Sequence, residues 1–268
     1  MITSQSNARV REAAMLAQKG KERRKQGLFV VEGPRMAAEI PDELCQSVFV
    51  SESFLAQHPE GDVWRDAVEK KGYEAVSDEV MRYMSDTQNP QGVFCVVKQL
   101  SWTLEEVLHP AGEGPALLMV LESLQDPGNL GTILRAGEGA GVTGVIMNDE
   151  TADIYNPKVI RSTMGSVLRV PFIRVSDLAG TLEEVKNAGV RLYAAHLAGK
   201  NNYEDEDYHE PAGFMIGNEA AGLTDETAAL ADALVKIPMA GKVESLNAAV
   251  AASVLMFEAA RQRRNHAR

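Results

Sequence analysis

Three stretches of this 268-residue chain bring together side chains able to bind and orient a ligand. Asn129 and Arg135 lie in Asp126-Pro-Gly-Asn129-Leu-Gly-Thr-Ile-Leu-Arg135, and Glu219 lies in Gly217-Asn-Glu219-Ala-Ala-Gly222. Ser245 and Asn247 close Ile237-Pro-Met239-Ala-Gly-Lys-Val-Glu-Ser245-Leu-Asn247. A guanidinium is suited to clamping an anion, and turn glycines let backbone approach a ligand closely. Leu130, Ile133, Leu134 and Gly137 recur at i, i+3, i+4 and i+7, one inward helical face. Arg135 projects about 140° from Leu130 and is free to face a cleft. Each stretch alone is equally satisfied by a solvated arginine, turn glycines and helix caps, with Asn129 and Ser245 as the caps. Three such stretches in one α/β unit favour a shared site.

The elements that must position these loops alternate strand and helix. In the first part, a short strand closed by a turn is expected over 27–33 and further strands near 46–50, 73–76 and 93–97, with helices at 34–40, 62–71 and 77–84. Gln99 to Pro115 includes Pro110-Ala-Gly-Glu-Gly-Pro115, a composition that breaks both helix and strand. The boundaries follow as a domain over 1–105, a linker over 106–115 and a second domain over 116–268. In that domain the continuous apolar runs at 116–121, 144–147, 190–195, 213–217 and 233–238 suit strands covered on both faces. Helices are expected near 129–140, 178–188, 225–232 and 245–263. The fold class is therefore α/β, a mostly parallel sheet preceded by a smaller α/β domain, with ligands beyond the carboxyl ends of the strands. Gly139-Ala-Gly141-Val-Thr-Gly144 matches G-x-G-x-x-G, but it closes a helix and precedes a strand, so it is a helix stop and not a dinucleotide loop. A nucleotide-dependent oxidoreductase is disfavoured accordingly.

Composition sets further limits. Hydrophobic residues make up 45% and charged residues 24%, as in a globular chain. No apolar run is long enough to span a bilayer and the N-terminus lacks a signal-like core, so no membrane association and a cytoplasmic location are expected. Cys45 and Cys95 form neither a zinc pair nor a disulfide framework and read as small buried hydrophobes, and the five histidines have no ligand spacing, so no metal is expected. The net charge of −11 argues against phosphate binding overall, but it is unevenly spread. Residues 1–26 carry seven basic side chains against Glu12 and Glu22, a net of +5. Arg9, Arg11, Lys21, Arg23, Arg24 and Lys25 are thus candidate RNA contacts. Arg261, Arg263, Arg264 and Arg268 suit the C-terminal end of a helix.

Asn129–Ala136, Gly217–Leu223 and Ile237–Ala248 resemble, in order and spacing, the three signature motifs of the SpoU/TrmH RNA 2′-O-ribose methyltransferases of the SPOUT superfamily. Phe29-Val-Val-Glu-Gly33 and its basic lead-in resemble the ribosomal-protein-like substrate-binding domain often placed before that catalytic domain. The resemblance implies S-adenosylmethionine as methyl donor, a homodimer through the C-terminal domain and a trefoil knot in its sheet. It assigns catalysis to Asn129, Arg135, Glu219, Ser245 and Asn247. It assigns cofactor contacts to Gly217, Asn218, Ile237, Met239 and Leu246, with Ala195 and His196 closing the adenosine side. Arg135 would also touch RNA. Ser162-Thr-Met-Gly-Ser-Val167 departs from the residues many relatives carry there. The implied activity is ribose 2′-O-methylation of structured RNA, ribosomal RNA before transfer RNA. The competing class is an RNA-binding relative that has lost the chemistry.

Overall fold

The structure, a computed structural model, describes residues 1–109 and 114–266. The chain forms two compact units, one of Met1–Leu100 with Asp153–Leu168, the other of Ser101–Ala152 with the chain from Arg169 onward.

The first unit opens with α1 (Ala8–Gln18) and α2 (Gly20–Gln26), followed by β1 (Leu28–Glu32), α3 (Pro34–Glu39), β2 (Cys45–Ser51), α4 (Glu52–Gln57), α5 (Val63–Lys71), β3 (Glu74–Val76), α6 (Asp78–Met84) and β4 (Val93–Lys98). The basic segment is therefore helical. Asn7 caps α1 by accepting from the Arg9 and Val10 amides, and Val10, Ala13, Ala14, Leu16 and Ala17 face the core. Gly27, at φ +65°, stops α2 in the left-handed conformation that glycine adopts without strain. The sheet order is β1-β4-β2-β3, with β1 and β2 antiparallel to β4 and β3 parallel to β2.

Cys45 on β2 is only half-buried, contrary to expectation, because a bulge between Cys45 and Ser47 turns the strand there. A hydrogen bond with the buried Cys95 thiol, outweighing burial, lowers Cys45 to about 7, and the same contact together with burial pushes Cys95 up. The thiolate is the reactive form. Alkylation of Cys45 by iodoacetamide is thus expected to rise with pH through about 7, with Cys95 protected. A midpoint near that of an ordinary thiol, roughly 8.5, would contradict this contact.

In the second unit α7 (Leu104–Leu108) comes first, then β5 (Leu117–Leu121), α8 (Pro127–Ala140) and β6 (Gly144–Asn148). The helix α7 occupies the start of the expected linker 106–115: Thr103 and Glu106 form a capping box, and buried Val107 packs against Gly144, where an added Cβ would lie 2.5 Å from Val107 Cγ1. Residues 110–113 of that linker lie outside the described residues. After β6 the chain contributes α9 (Pro157–Thr163) to the first unit, where it packs on β1. It then forms β7 (Phe172–Val175), α10 (Leu178–Asn187), β8 (Arg191–Ala195), β9 (Asn201–Asn202), β10 (Ala212–Ile216), α11 (Asp225–Ala229), β11 (Ala233–Lys236) and α12 (Ala248–His266). By packing, then, the boundary is not one cut in the chain.

The seven strands run in the order β7-β6-β5-β10-β8-β11-β9, and every pair is parallel. Full burial of Leu117–Leu121, Gly144–Asn148 and Ala212–Ile216 explains their unbroken apolar runs. Gly141, at φ +84°, ends α8, as the rejected dinucleotide motif requires. No helix among the described residues is long and apolar enough to cross a membrane.

Arg263 on α12 does not serve its own helix end. Its guanidinium donates to the carbonyls of Tyr208 (2.9 Å), Pro115 (2.9 Å), Ala116 (3.0 Å) and Glu210 (2.9 Å), clasping the C-terminal helix to the start of β5. Arg261 pairs with Glu258, and Arg268 lies outside the described residues. Arg263→Ala is expected to destabilise the protein by about 2 kcal/mol in urea unfolding, since charged donors to carbonyls are lost together. A change under about 0.5 kcal/mol would show that water replaces the clasp.

Candidate active site

Because β5, β10, β8 and β11 are adjacent and parallel, their carboxyl ends share one rim of the sheet. A cavity of about 290 Å³ opens there, lined from β8 by Ala195 and His196, from the loop after β10 by Gly217, Asn218 and Glu219, and from the loop after β11 by Ile237, Met239, Ser245 and Leu246. All seven residues expected at the cofactor are in this lining. Asn129, Arg135 and Asn247 are not.

The loop after β10 is shaped by close backbone approach. A Cβ on Gly217 would lie 2.0 Å from the Gly222 carbonyl carbon and 2.1 Å from the Leu223 nitrogen. Asn218 and Gly222 exchange backbone hydrogen bonds of 2.9 and 2.8 Å. The Asn218 amide is used on both sides, accepting from the Ala220 and Ala221 amides and donating to the Ser123 carbonyl at 2.9 Å. It therefore holds loops rather than offering its side chain to a ligand.

A chain of polar side chains ties the three loops together. The Glu219 carboxylate accepts from the Gln125 amide (3.0 Å), the Asp126 amide (2.9 Å) and Asn129 Nδ2 (3.0 Å). Asn129 Oδ1 in turn accepts from Asn247 Nδ2 at 2.9 Å. Burial pushes the Glu219 carboxyl up, but the hydrogen bonds from Gln125, Asn129 and Asp126 together hold it below the usual glutamate range. It is an ionised anchor whose oxygens already have donors.

Two capping expectations are corrected. Pro127 occupies the first turn of α8, so the cap falls on Asp126, whose side chain accepts from the Asn129 amide at 2.9 Å; Asn129 is not the cap. At the last helix, Asn247 and not Ser245 accepts from the Ala249 and Val250 amides, because α12 begins only at Ala248. With Asp126 as cap, the Asn129 side chain is released to bridge Glu219 and Asn247.

Arg135 follows on the same helix. Leu130, Ile133, Leu134 and Gly137 are buried as the spacing required, while Arg135 is exposed and makes no hydrogen bond or ion pair with a described residue. His196 is fixed at the rim, its backbone amide donating to the Val235 carbonyl at 2.9 Å and its Nδ1 accepting from the Ala198 amide at 3.1 Å.

Sequence reasoning missed the supports behind these loops. Ser123, at φ +54°, is held by Asn148, which accepts from its amide at 2.8 Å and donates to its hydroxyl at 3.0 Å. Glu122, almost fully buried, accepts from the Thr224 amide and hydroxyl and from the Thr227 hydroxyl, fastening the chain just beyond Gly222. No local pattern announces either contact, since the partners are 25 and about a hundred residues away.

Of the candidate RNA contacts, Arg11, Lys21, Arg24 and Lys25 are exposed in the first unit. Arg9 is exposed but paired with Glu74 at 2.6 Å, its guanidinium 5.9 Å from the Phe49 ring centre. Arg23 is a correction. Only 3% exposed, it donates to the Leu16 and Ala17 carbonyls and to Asp153, so its guanidinium closes the core and does not present itself to phosphate. Among the described residues no group of three or more His, Cys, Asp or Glu is placed to hold a metal ion.

Comparison with known proteins agrees with this architecture. Residues 116–257 match the SpoU rRNA Methylase family and residues 7–95 the MRM3-like substrate binding domain. The 23S rRNA (guanosine(2553)-2′-O)-methyltransferase RlmP of Bacillus subtilis is 30% identical over 256 residues, 96% of this chain and 97% of that protein. The AdoMet-bound rRNA methyltransferase from Sinorhizobium meliloti superposes with a TM-score of 0.81 at 30% identity, over 97% of both chains. The SpoU methyltransferase AviRb from Streptomyces viridochromogenes, in complex with AdoMet, gives 0.82 at 29% identity over 97% of this chain and all of that one.

Proposed function

From the premise that the chain belongs to the SpoU rRNA methylase family, we propose that it transfers a methyl group from S-adenosylmethionine to a ribose 2′-oxygen of ribosomal RNA. The observation that carries this reading is the convergence of Gly217, Ile237, Leu246 and the end of β8 on one cavity, with the bridge from Glu219 through Asn129 to Asn247 tying its loops together. The cavity fits the donor: its lining is polar at Glu219, Ser245 and His196 and apolar at Ile216, Leu223 and Met239, and a side chain at Gly217 would collide with the backbone of Gly222 and Leu223. S-adenosylmethionine, when bound, supplies an electrophilic methyl carbon on a sulfonium.

The chain's own task is positioning and charge. Attack by a 2′-hydroxyl needs in-line placement and stabilisation of the developing alkoxide. Arg135, whose planar guanidinium carries only donors, is a poor proton acceptor but a good clamp for the target phosphate and for that oxygen. Asn129 and Asn247 each spend one amide hydrogen on the bridge and keep a second for the ribose. Ser245, exposed in the cavity lining, is a further orienting group. Residues 1–105 would select the RNA, through Arg11, Lys21, Arg24 and Lys25, and residues 116–268 would carry the transfer, with the knotted threading of the family and in the cytoplasm.

A homodimer belongs to the same reading. Val250 and Phe257, two turns apart on α12, are 48% and 45% exposed, and Phe257 lies beside Gly139 of α8, an apolar face suited to a second copy. Phe257→Asp is expected to convert a dimer to monomers in sedimentation equilibrium. A wild-type monomer at micromolar concentration would remove the dimer from the account.

Maps of 2′-O-methyl sites in total RNA from cells with and without the protein test the function. Loss of methylation at one ribosomal ribose is expected. Loss confined to transfer RNA would overturn the substrate, and no loss would overturn the activity.

A further inference from the structure

The first unit has an open cavity of its own, of about 280 Å³, bordered by α4, α6 and the loop between α6 and β4. Its floor is Phe54 and Met81, both almost fully buried. Its shape depends on Gly92, at φ +80°, where a Cβ would lie 2.6 Å from Phe54 Cβ and 2.7 Å from Ser51 Oγ. Gly33 acts likewise from outside, since a Cβ there would fall 2.5 Å from Gln91 Oε1.

The rim carries amides. Gln57, Gln88, Asn89 and Gln91, all exposed, line the cavity, and none of the four makes a side-chain hydrogen bond to a described residue. Each presents a donor and an acceptor side by side, the complement of a base edge. A phosphate site would need a concentration of cations, whereas Arg82 here shares the lining with the Asp78 carboxylate, which already accepts from Ser53. The volume lies just below the usual range for ligand cavities, roughly 300–1,000 Å³, enough for one planar ring and too little for a folded strand.

We propose that this cavity receives a single unstacked base of the RNA substrate and reads its edge through Gln57, Gln88, Asn89 and Gln91. Sequence-selective RNA recognition works in this way, on bases turned out of the stack, while phosphate contacts carry affinity without selectivity. The inference rests on the RNA-methyltransferase reading and adds to it a site for substrate selection.

The test uses the full chain and large-subunit ribosomal RNA transcribed in vitro, with binding measured across a salt series. The Gln88→Ala/Gln91→Ala double variant, and Gln57→Ala on the opposite wall, are expected to weaken binding by about tenfold, with the slope of log affinity against log salt unchanged. Arg24→Ala/Lys25→Ala is the contrasting variant, expected to make that slope shallower. Affinity for S-adenosylmethionine and thermal midpoint should stay at wild-type values in the amide variants. RNA affinity within twofold of wild type in both amide variants, while the unaltered protein binds, would overturn the base pocket and leave the enzyme reading standing. A flattened salt slope in the amide variants would overturn it too, by making these phosphate contacts. Failure of the unaltered protein to bind the transcript would overturn the RNA reading itself.

Discussion

Arg135→Ala is expected to lower methyl transfer on the order of 10²–10³-fold while S-adenosylmethionine affinity stays within about twofold. The separation follows from placement. Arg135 is exposed on α8, outside the cavity lining, with no intramolecular partner among the described residues. Its removal therefore leaves no buried group unpaired and leaves the cavity walls intact. On the proposed reading, what is lost is a charged donor to the target phosphate and to the oxygen on which charge develops during transfer; the second contact enters the rate, and neither touches the cofactor. Arg135→Lys should recover only part of the activity, because an ammonium cannot reproduce the planar two-pronged geometry of a guanidinium. Single-turnover kinetics paired with calorimetry reads both quantities. A parallel loss of rate and cofactor affinity would place Arg135 in the cofactor site and contradict this division.

Gly217→Ala is expected to abolish S-adenosylmethionine binding, by at least about 100-fold, and to lower stability by about 1–3 kcal/mol, the usual cost of overpacking. The added carbon would sit 2.0–2.2 Å from backbone atoms of Gly222 and Leu223, and backbone cannot move aside as a flexible side chain can. Relief requires opening the turn that Asn218 and Gly222 close, and this turn carries Glu219, and through it Asn129. Gly241, in the loop after β11, is the contrast: a Cβ there meets nothing within 4 Å, so Gly241→Ala should bind the donor within about twofold of wild type. Titration calorimetry and urea unfolding of both variants decide the point. Normal affinity in Gly217→Ala would mean that the turn is not part of the donor site.

These two glycines mark how far the sequence could be read. Both stand in motif loops and look alike in one dimension; only the second chain segment packed against Gly217 distinguishes them. The parallel strands were legible because burial on both faces leaves unbroken apolar runs, as in Leu117–Leu121 and Ala212–Ile216. The convergence of the motif loops followed from strand direction, since parallel neighbours place all their outgoing loops on one rim. Helix caps were read less well. Asn129 and Ser245 are good capping residues by type, yet Pro127 shifts the first cap to Asp126 and the late start of α12 gives the second to Asn247. Nor could charge counting recognise Arg23 as a core residue, because its partner Asp153 lies 130 positions away. The helix Leu104–Leu108 was hidden in a segment judged by its Pro-Gly composition, although Thr103 and Glu106 carry a capping box.

The most direct measurement incubates the purified protein with large-subunit ribosomal RNA and S-adenosylmethionine bearing an isotopically labelled methyl group, then digests the RNA and identifies the labelled nucleoside by mass spectrometry. The account predicts label on a ribose 2′-oxygen of one nucleotide, absent with Arg135→Ala. Label on a base, or none with protein that binds both RNA and donor, would contradict it.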